Sequence, residues 1–586
     1  MKQVVQRAKD DKRYAQQALA PVIKVVRVDG LTLDSKTIGP LPIVNHIFER
    51  MGVATLLAQF VRGHGNMKLS HAETLMILLR CLTLQREPIY EIAEWGERYE
   101  PHHLGLDDLP PKSLNDDRVG RALDALHEAD RATMLTKLVM FVIKEFGIET
   151  RQLHNDSTSV TVTGRYDVEE SPRRKATVKL KRGHNKDHRP DLKQLVFTLT
   201  VSRDGAVPVH FKLYDGNVTD DQTHIDTWES LCRIIGDVGF TYVADCKLCT
   251  KEQMGHIHHR GGKFITVMPR TRREDKEFRS HLRSGNHVDW RELMKRPHPS
   301  ARGEEHIYYG FESPTPSADG YRIIWIKSTQ KQDQDAQTRQ RKISDTIAEL
   351  AKLKDAVGKR SLRTKEQVSG AVLKVFANNG SERWFDWQLV PTEAEHFKQV
   401  GAGRPGKNTK FEKTTKVQWS FTALPSAERI NDDTLDDGIF PLITNHKLAD
   451  LSARDVLEKY KYQPFLEKRH EKLKSVLEVA PVFFKLPHRI EALMFLEFVA
   501  LMASALIERE LRLKMAEQKV SSLRLYPEAR ACKSPTAERV FAVFGTLQRH
   551  RLMLTDKEVK VFRDELSPLQ RQVLDLMGVS DSAYTA

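Results

Sequence analysis

Between residues 40 and 130 apolar positions recur three and four apart: Val44, Ile47, Phe48 and Met51; Leu75, Leu78, Leu79 and Leu82; Val119, Leu123 and Leu126. That spacing turns one face of an α-helix inward, so the region predicts amphipathic helices packed on one another. Gly52 is placed to end the first helix, and Ser70 with Glu73 three residues later has the form of a capping box opening the second. Arg118 and Arg121 fall on polar faces that can meet phosphate.

Near residue 150 the period changes. Gln152 to Val162, Gln194 to Ser202 and Val207 to Leu213 are rich in Val, Thr and Phe with partial alternation, and Asp204-Gly205 between the last two is a hairpin signal. A helix is predicted from His224 to Ile235, then a short strand over Phe240 to Ala244. From 250 to 440 strand-like runs (Phe264 to Met268, Ile307 to Phe311, Tyr321 to Ile326, Val372 to Phe376) surround a helical segment with Ile343, Ile347, Leu350 and Leu353 on one face. Helices return over 454 to 512. Within them the apolar stretch Ala492 to Ile507 is interrupted by Glu497 and falls short of the ~20 residues a bilayer crossing requires, so it predicts a buried helix and no membrane span.

With 586 residues the chain is too long for one core. Hydrophobic residues at 40% and charged residues at 29% exclude disordered and collagen-like classes. Five cysteines cannot staple such a chain, and the N-terminus lacks the apolar core of a secretory signal, so a reducing, non-exported setting is expected. Lys plus Arg at 93 against Asp plus Glu at 79 leaves a net charge of +14, which favours a polyanionic partner and puts nucleic acid first.

The acidic residues sharpen that choice. Asp156 interrupts the first strand within His154-Asn155-Asp156-Ser157-Thr158, and Asp245 directly follows the fourth strand at Tyr242-Val243-Ala244. Two carboxylates on strands of one sheet suit a hard divalent metal. The third candidate is Glu467. Tyr460, Gln463, Glu467 and Lys474 fall within an arc of roughly 60° on one continuous helix at ~100° per residue. Such a stripe suits a surface that grips phosphate and offers one metal ligand. If Pro464 instead sits in the first helical turn, Tyr460 precedes the helix.

These residues carry a resemblance. The chain resembles bacterial insertion-sequence transposases of the DDE class, in the group whose signature is Tyr, two residues, Arg, three residues, Glu, six residues, Lys. Tyr460, Glu467 and Lys474 match it, and Gln463 stands where the signature has Arg. The likeness continues through Leu477 to Phe484, Arg489 to Leu493 and Ile507 to Leu511, and around both aspartates. It implies an α/β fold: a ribonuclease-H-like catalytic domain with a largely β insertion domain and a helical N-terminal domain. The implied division is a helical DNA-binding region 1–148, catalytic segments 149–249 and 441–515, an insertion 250–440 and a helical end 516–586.

By the same resemblance Asp156, Asp245 and Glu467 are catalytic and hold Mg²⁺, with Mn²⁺ as a substitute. The partners are double-stranded DNA, as terminal inverted repeats and as target, and a second copy of the chain in a homodimeric DNA complex. The setting is the cytoplasm, at the nucleoid. In-line displacement at phosphorus suits such a site, since divalent ions activate the attacking oxygen and stabilise the leaving one.

Tyr460, Gln463 and Lys474 are expected to contact DNA. So is the stretch 172–193, where nine cations, among them Arg173, Arg174, Lys181 and Arg182, face only Asp187 and Asp191. Cys246 and Cys249 lie near His256, His258 and His259, but no second cysteine pair completes a zinc site and ordinary thiols are expected. In the insertion, Trp325, Trp384, Trp387 and Trp419 include candidates for stacking on unpaired bases, a role the resemblance links to hairpin formation at transposon ends. Two other readings share the residues: a catalytically dead DNA-binding protein derived from a transposase, and a non-mobile metal-dependent nuclease.

Overall fold

The computed structural model describes residues 26–28, 31–63, 67–84, 88–164, 166, 175–186, 189–297, 303–358, 362–406, 409–477, 486–555 and 557–585. The chain divides into two compact units, Met1–Thr266 with Glu458–Ala586, and Val267–Leu457.

The first unit begins with strands β1 (Val26–Val28) and β2 (Leu31–Thr37). Helices then follow the apolar period. Leu41–Met51 ends at Gly52, whose φ of +66° is the left-handed conformation that closes a helix. Ser70 and Glu73 bond reciprocally as a capping box, 2.7 and 3.2 Å, before His71–Leu84. Asn115 and Asp130 cap Asp116–Glu128 and Arg131–Phe146 through their side chains.

The sheet that follows is made of β3 (Gln152–Val162), β4 (Lys193–Ser202), β5 (Pro208–Asp215), β6 (Thr241–Val243) and β7 (Lys263–Val267), in the order β5-β4-β3-β6-β7. β3, β4 and β5 are antiparallel neighbours. β6 and β7 run parallel to β3 after crossovers through the helices His224–Ile235 and Lys251–His259. Strand β7 therefore continues this sheet, so the second unit begins near 267 where the sequence placed the insertion at 250.

In the second unit β8 (Arg291–Pro297), β9 (Glu305–Glu312), β10 (Arg322–Ser328) and β13 (Ile439–Thr444) form antiparallel pairs in the order β13-β10-β9-β8. Helix Thr329–Ala356 and helix Lys365–Asn379 pack with the long antiparallel pair β11 (Phe385–Gln399) and β12 (Phe411–Pro425). Their common core is Ile343, Leu350, Val368, Val372, Phe376, Trp384, Phe385 and Phe421.

Two expectations are corrected here. Val372 to Phe376, expected as a strand, lies inside the helix Lys365–Asn379, where Val368, Val372 and Phe376 bury one face and a Thr364–Gln367 capping box opens the first turn. The tryptophans build core: Trp325 and Trp384 are 2% exposed, Phe278 stacks on Trp325 at 3.8 Å, and Trp387 and Trp419 are partly buried against the same cluster.

Back in the first unit, helix Pro487–Glu517 is apolar all round. It is long and apolar enough to cross a membrane, yet 94% of its apolar window is buried inside the protein, Glu497 included. It packs on helices His71–Leu84, Asp116–Glu128 and Pro568–Met577 and on β5, with Phe498 stacked on Phe211 at 4.7 Å. Arg489 forks onto Asp124 with two bonds of 2.8 Å, and Arg509 reaches the backbone of Phe146 and the carboxylate of Asp204, tying the N-terminal helices and the β4–β5 turn to this helix.

The end of the chain corrects the helical reading of both termini. β14 (Gln548–Leu554) and β15 (Lys557–Arg563) pair with each other, and β14 pairs with β2, giving the sheet order β1-β2-β14-β15. Helices Ala537–Phe544 and Pro568–Met577 flank the two strands in sequence.

Candidate active site

The geometry begins with register. His154 of β3 pairs with Val243 of β6 in parallel, so two further steps along each strand set Asp156 beside Asp245. Asp156 lies mid-strand, and its Oδ1 accepts from the Ser157 amide at 2.8 Å. Asp245 follows the end of β6, caps the short turn Cys246–Leu248 and accepts from the Lys247 amide at 3.0 Å. Both carboxylates keep some access to solvent, at 22% and 39% exposure.

Basic groups close around the pair. The Lys186 ammonium donates to the Ser157 carbonyl at 2.6 Å and to its hydroxyl at 3.0 Å, and stands 3.2 Å from Asp220 and 3.7 Å from Asp156. His470 Nδ1 lies 3.6 Å from Asp156, and His224 Nε2 lies 4.0 Å from Asp245. His224 is in turn held through Nδ1 by the Tyr242 hydroxyl at 3.1 Å.

The two carboxyls are driven apart. Burial pushes Asp156 up, but the His470 bond and charge, the Lys186 charge and the Ser157 amide together hold it below the usual range. Asp245 is pushed up to about 6, by burial first and then by the negative charge of Asp156. Burial lowers His224 to about 4, so that imidazole is neutral at pH 7. The Tyr460 hydroxyl is pushed up by burial and then by Asp245, Cys246, Glu467 and Asp156, which places all three carboxylates in electrostatic reach of this phenol.

Glu467 lies on the helix Gln463–Leu477. Pro464 falls in its first turn, and Tyr460 ends the preceding helix Ala453–Tyr460, so the four-residue stripe is split between two helices. Gln463 is corrected from a DNA contact to a buried tie. It is 8% exposed, its Oε1 lies 3.0 Å from His154 Nδ1, and its Nε2 donates to the Asn155 carbonyl at 3.3 Å. Glu467 stands one turn after Gln463 and just before His470, which faces Asp156, and its side chain is exposed. No described hydrogen bond or ion pair joins it to either aspartate, and among the described residues no three His, Cys, Asp or Glu side chains form a metal-holding group. Lys474 lies one helical stretch further on and is partly buried.

The basic stretch 172–193 is a set of internal ties where it is described. Lys175 donates to the Ala129 carbonyl, Lys181 pairs with Asp215 at 3.0 Å, Arg182 donates to the Asp191 carbonyl at 3.2 Å, and Lys186 enters the carboxylate cluster. Arg173 and Arg174 lie outside the described residues. Cys246 is partly exposed, Cys249 is buried, and His256 pairs with Glu229 at 3.1 Å.

Sequence reasoning missed His470, His224 and the role of Lys186, and set Asp220 aside as a turn residue. His470 had a signal: it follows Glu467 by three positions, which puts both on neighbouring parts of one helix face.

Residues 33–140 match a family described as a domain of unknown function, DUF4277. No curated protein matches the chain. Two solved structures to which it is similar are transposases. One is a piggyBac transposase synaptic complex with hairpin DNA, at 10% identity and a TM-score of 0.25, covering 47% of this chain and 59% of that one. The other is a Mos1 transposase paired-end complex with a left transposon end, at 14% identity and a TM-score of 0.14, covering 35% and 60%. The chain thus spans about three fifths of each of those proteins.

Proposed function

We propose that the chain is a DNA transposase that binds element ends and cuts and joins phosphodiester bonds at Asp156, Asp245 and Glu467. The observation that carries this reading is the meeting of Asp156 and Asp245 on adjacent strands, with one carboxyl held down and the other pushed up to about 6 by its neighbour. The strand order supports it: the first carboxylate lies on the central first strand and the second just after the fourth, as the resemblance to DDE transposases implies. Assignment to the Tyr-Arg-Glu-Lys signature group rests on Tyr460, Glu467 and Lys474.

The donor set fits a hard divalent ion. Two carboxylates that repel each other gain from a shared cation, and Mg²⁺ commonly takes one or two carboxylates together with substrate phosphates. Asp156, Asp245 and Glu467 would hold Mg²⁺, or Mn²⁺ in its place, and the ion would supply charge stabilisation at the reacting phosphate. The chain's own groups prepare that site. Lys186 and His470 fix the rotamer of Asp156 and keep it ionised. Gln463 fixes the height of the helix that bears Glu467. Lys474 provides a cation further along that helix, in line with a backbone phosphate.

The test uses the full chain with duplex DNA taken from the borders of its own coding region, in Mg²⁺. Asp156→Asn and Glu467→Gln should each cut cleavage by about 10²-fold or more with binding near wild type, as expected for removal of a group acting in the transition state. Joined products in the wild-type reaction separate a transposase from a nuclease. Cleavage at the wild-type rate by either variant would refute the assignment.

A further inference from the structure

The β11–β12 ribbon has a base and an arm. At the base, Phe385, Trp387, Leu389, Trp419 and Phe421 turn one face into the core of the second unit. Beyond Pro391 and Trp419 the pairing continues to Gln399 and Phe411, a projection of about 30 Å at ~3.4 Å per residue. Its side chains are largely exposed along that length. The face that is core at the base carries Val417, Phe397 and Phe411 on the arm, at 53%, 58% and 51% exposure. Phe397 pairs with Lys413 and Gln399 with Phe411, so the two phenylalanines are diagonal neighbours on that face.

Charge indicates the occupant. The sequence from Lys398 to Lys416 holds six basic residues against the single acid Glu412, a net of +5 out of +14 for the whole chain. At the tip Gly401 and Gly403, with φ of +105° and +126°, precede Arg404-Pro405-Gly406, and a Cβ at any of these glycines would meet nothing within 4 Å. The tip is thus a thin, basic, nearly side-chain-free turn bearing one guanidinium and one proline. A narrow minor groove attracts arginine through its negative potential, and proline and phenylalanine are among the wedges that unstack base steps there. An arm meant for a second protein copy would not concentrate like charge at its end, because two such tips repel.

We propose that this ribbon is a DNA arm, distinct from the carboxylate site, whose Arg404-Pro405 tip enters the minor groove of a duplex while Lys410 reaches a flanking phosphate. The inference rests on the DNA reading above and adds a groove and a position to it.

The test measures binding of the full chain to 40-base-pair duplexes, one A·T-rich and one G·C-rich, by fluorescence anisotropy from 50 to 200 mM NaCl. Methylation protection at adenine N3 in the minor groove and guanine N7 in the major groove is read in parallel. Arg404→Ala with Lys410→Ala should lower the log–log salt slope by about 2, at ~0.9 per lost phosphate contact, and abolish adenine N3 protection. Phe397→Ala with Phe411→Ala should weaken binding to the A·T-rich duplex about tenfold and leave the slope unchanged. All these side chains are exposed, and Mg²⁺-dependent cleavage of a short single-stranded or nicked substrate reports whether each variant is folded. If the wild type binds and cuts duplex DNA while both variants bind as it does with adenine N3 still protected, the arm inference falls and the DNA reading stands. If the wild type binds no duplex, both fall. A dimer lost in the variants with DNA binding unchanged would give the arm to a second copy and overturn the proposal.

Discussion

Replacing Asp245 with Asn separates what the site costs from what it does. Its carboxyl, ordinarily near 3.8, is pushed up to about 6 by burial and by Asp156. A group whose proton is held more tightly in the folded chain than in the unfolded one destabilises the fold as pH rises. The penalty is absent below about pH 4, grows up to about pH 6 and is complete above it. Two units correspond to about 3 kcal/mol at ~1.36 kcal/mol each. Because the side chain is 39% exposed, solvent screening reduces the expected figure to about 1–2 kcal/mol. Asn keeps an acceptor for the Lys247 amide and loses the charge. In chelator, urea unfolding followed by circular dichroism should therefore show Asp245→Asn more stable than wild type by that amount at pH 7.5, the gap narrowing toward pH 4.5. Adding Mg²⁺ should then stabilise the wild type and close the gap, because a ligand bound only by the folded state raises its stability. A variant no more stable than wild type at pH 7.5, or a gap that ignores pH, would refute the account of two mutually repelling carboxylates.

Two more outcomes follow from the packing. Gln463→Ala strips partners from the buried His154 ring and Asn155 carbonyl, and should lower unfolding free energy by about 1–3 kcal/mol and slow cleavage; an unmoved urea midpoint would show that the tie is dispensable. Phe498→Ala empties a fully buried position stacked on Phe211 and should lower stability by about 3–5 kcal/mol; a loss below ~1 kcal/mol in the same assay would mean that helix Pro487–Glu517 does not organise the first unit's core.

What the sequence conveyed follows the reach of each signal. β3 and the helix His224–Ile235 fall where the periodicity put them, because each buries a face whose pattern is complete within its own length. Val372 to Phe376 did not, since a five-residue apolar run fits a strand or a helix equally well; Thr364 and Gln367, the capping box just upstream, held the deciding information. β2 and β14 were invisible for another reason. Thr32 pairs with Met553 and Ser35 with His550, so each strand takes its sense from a partner at the far end of the chain. At the site, the aspartates stood out as acids in strands, whereas Lys186 looked like one more cation in a basic run. Its meaning comes from two carboxylates 30 and 34 positions away, a distance over which no local pattern operates.

The pairing of β2 with β14 also sets a timetable for synthesis. Asp156 leaves the ribosome 314 residues ahead of His470, which at roughly 5–20 residues per second is a delay of about 15–60 s. Throughout that interval the β3–β7 sheet lacks the helices that cover it, while the whole of Val267–Leu457 is translated and, having its own core, is free to fold first. A nascent or prematurely ended chain therefore carries the ribbon before it carries an assembled carboxylate site. Only a chain read through to Leu554 can close the sheet joining its two ends. The reactive centre is thereby withheld until translation is nearly finished, a built-in delay that keeps partial products from handling DNA chemically even if they can already hold it.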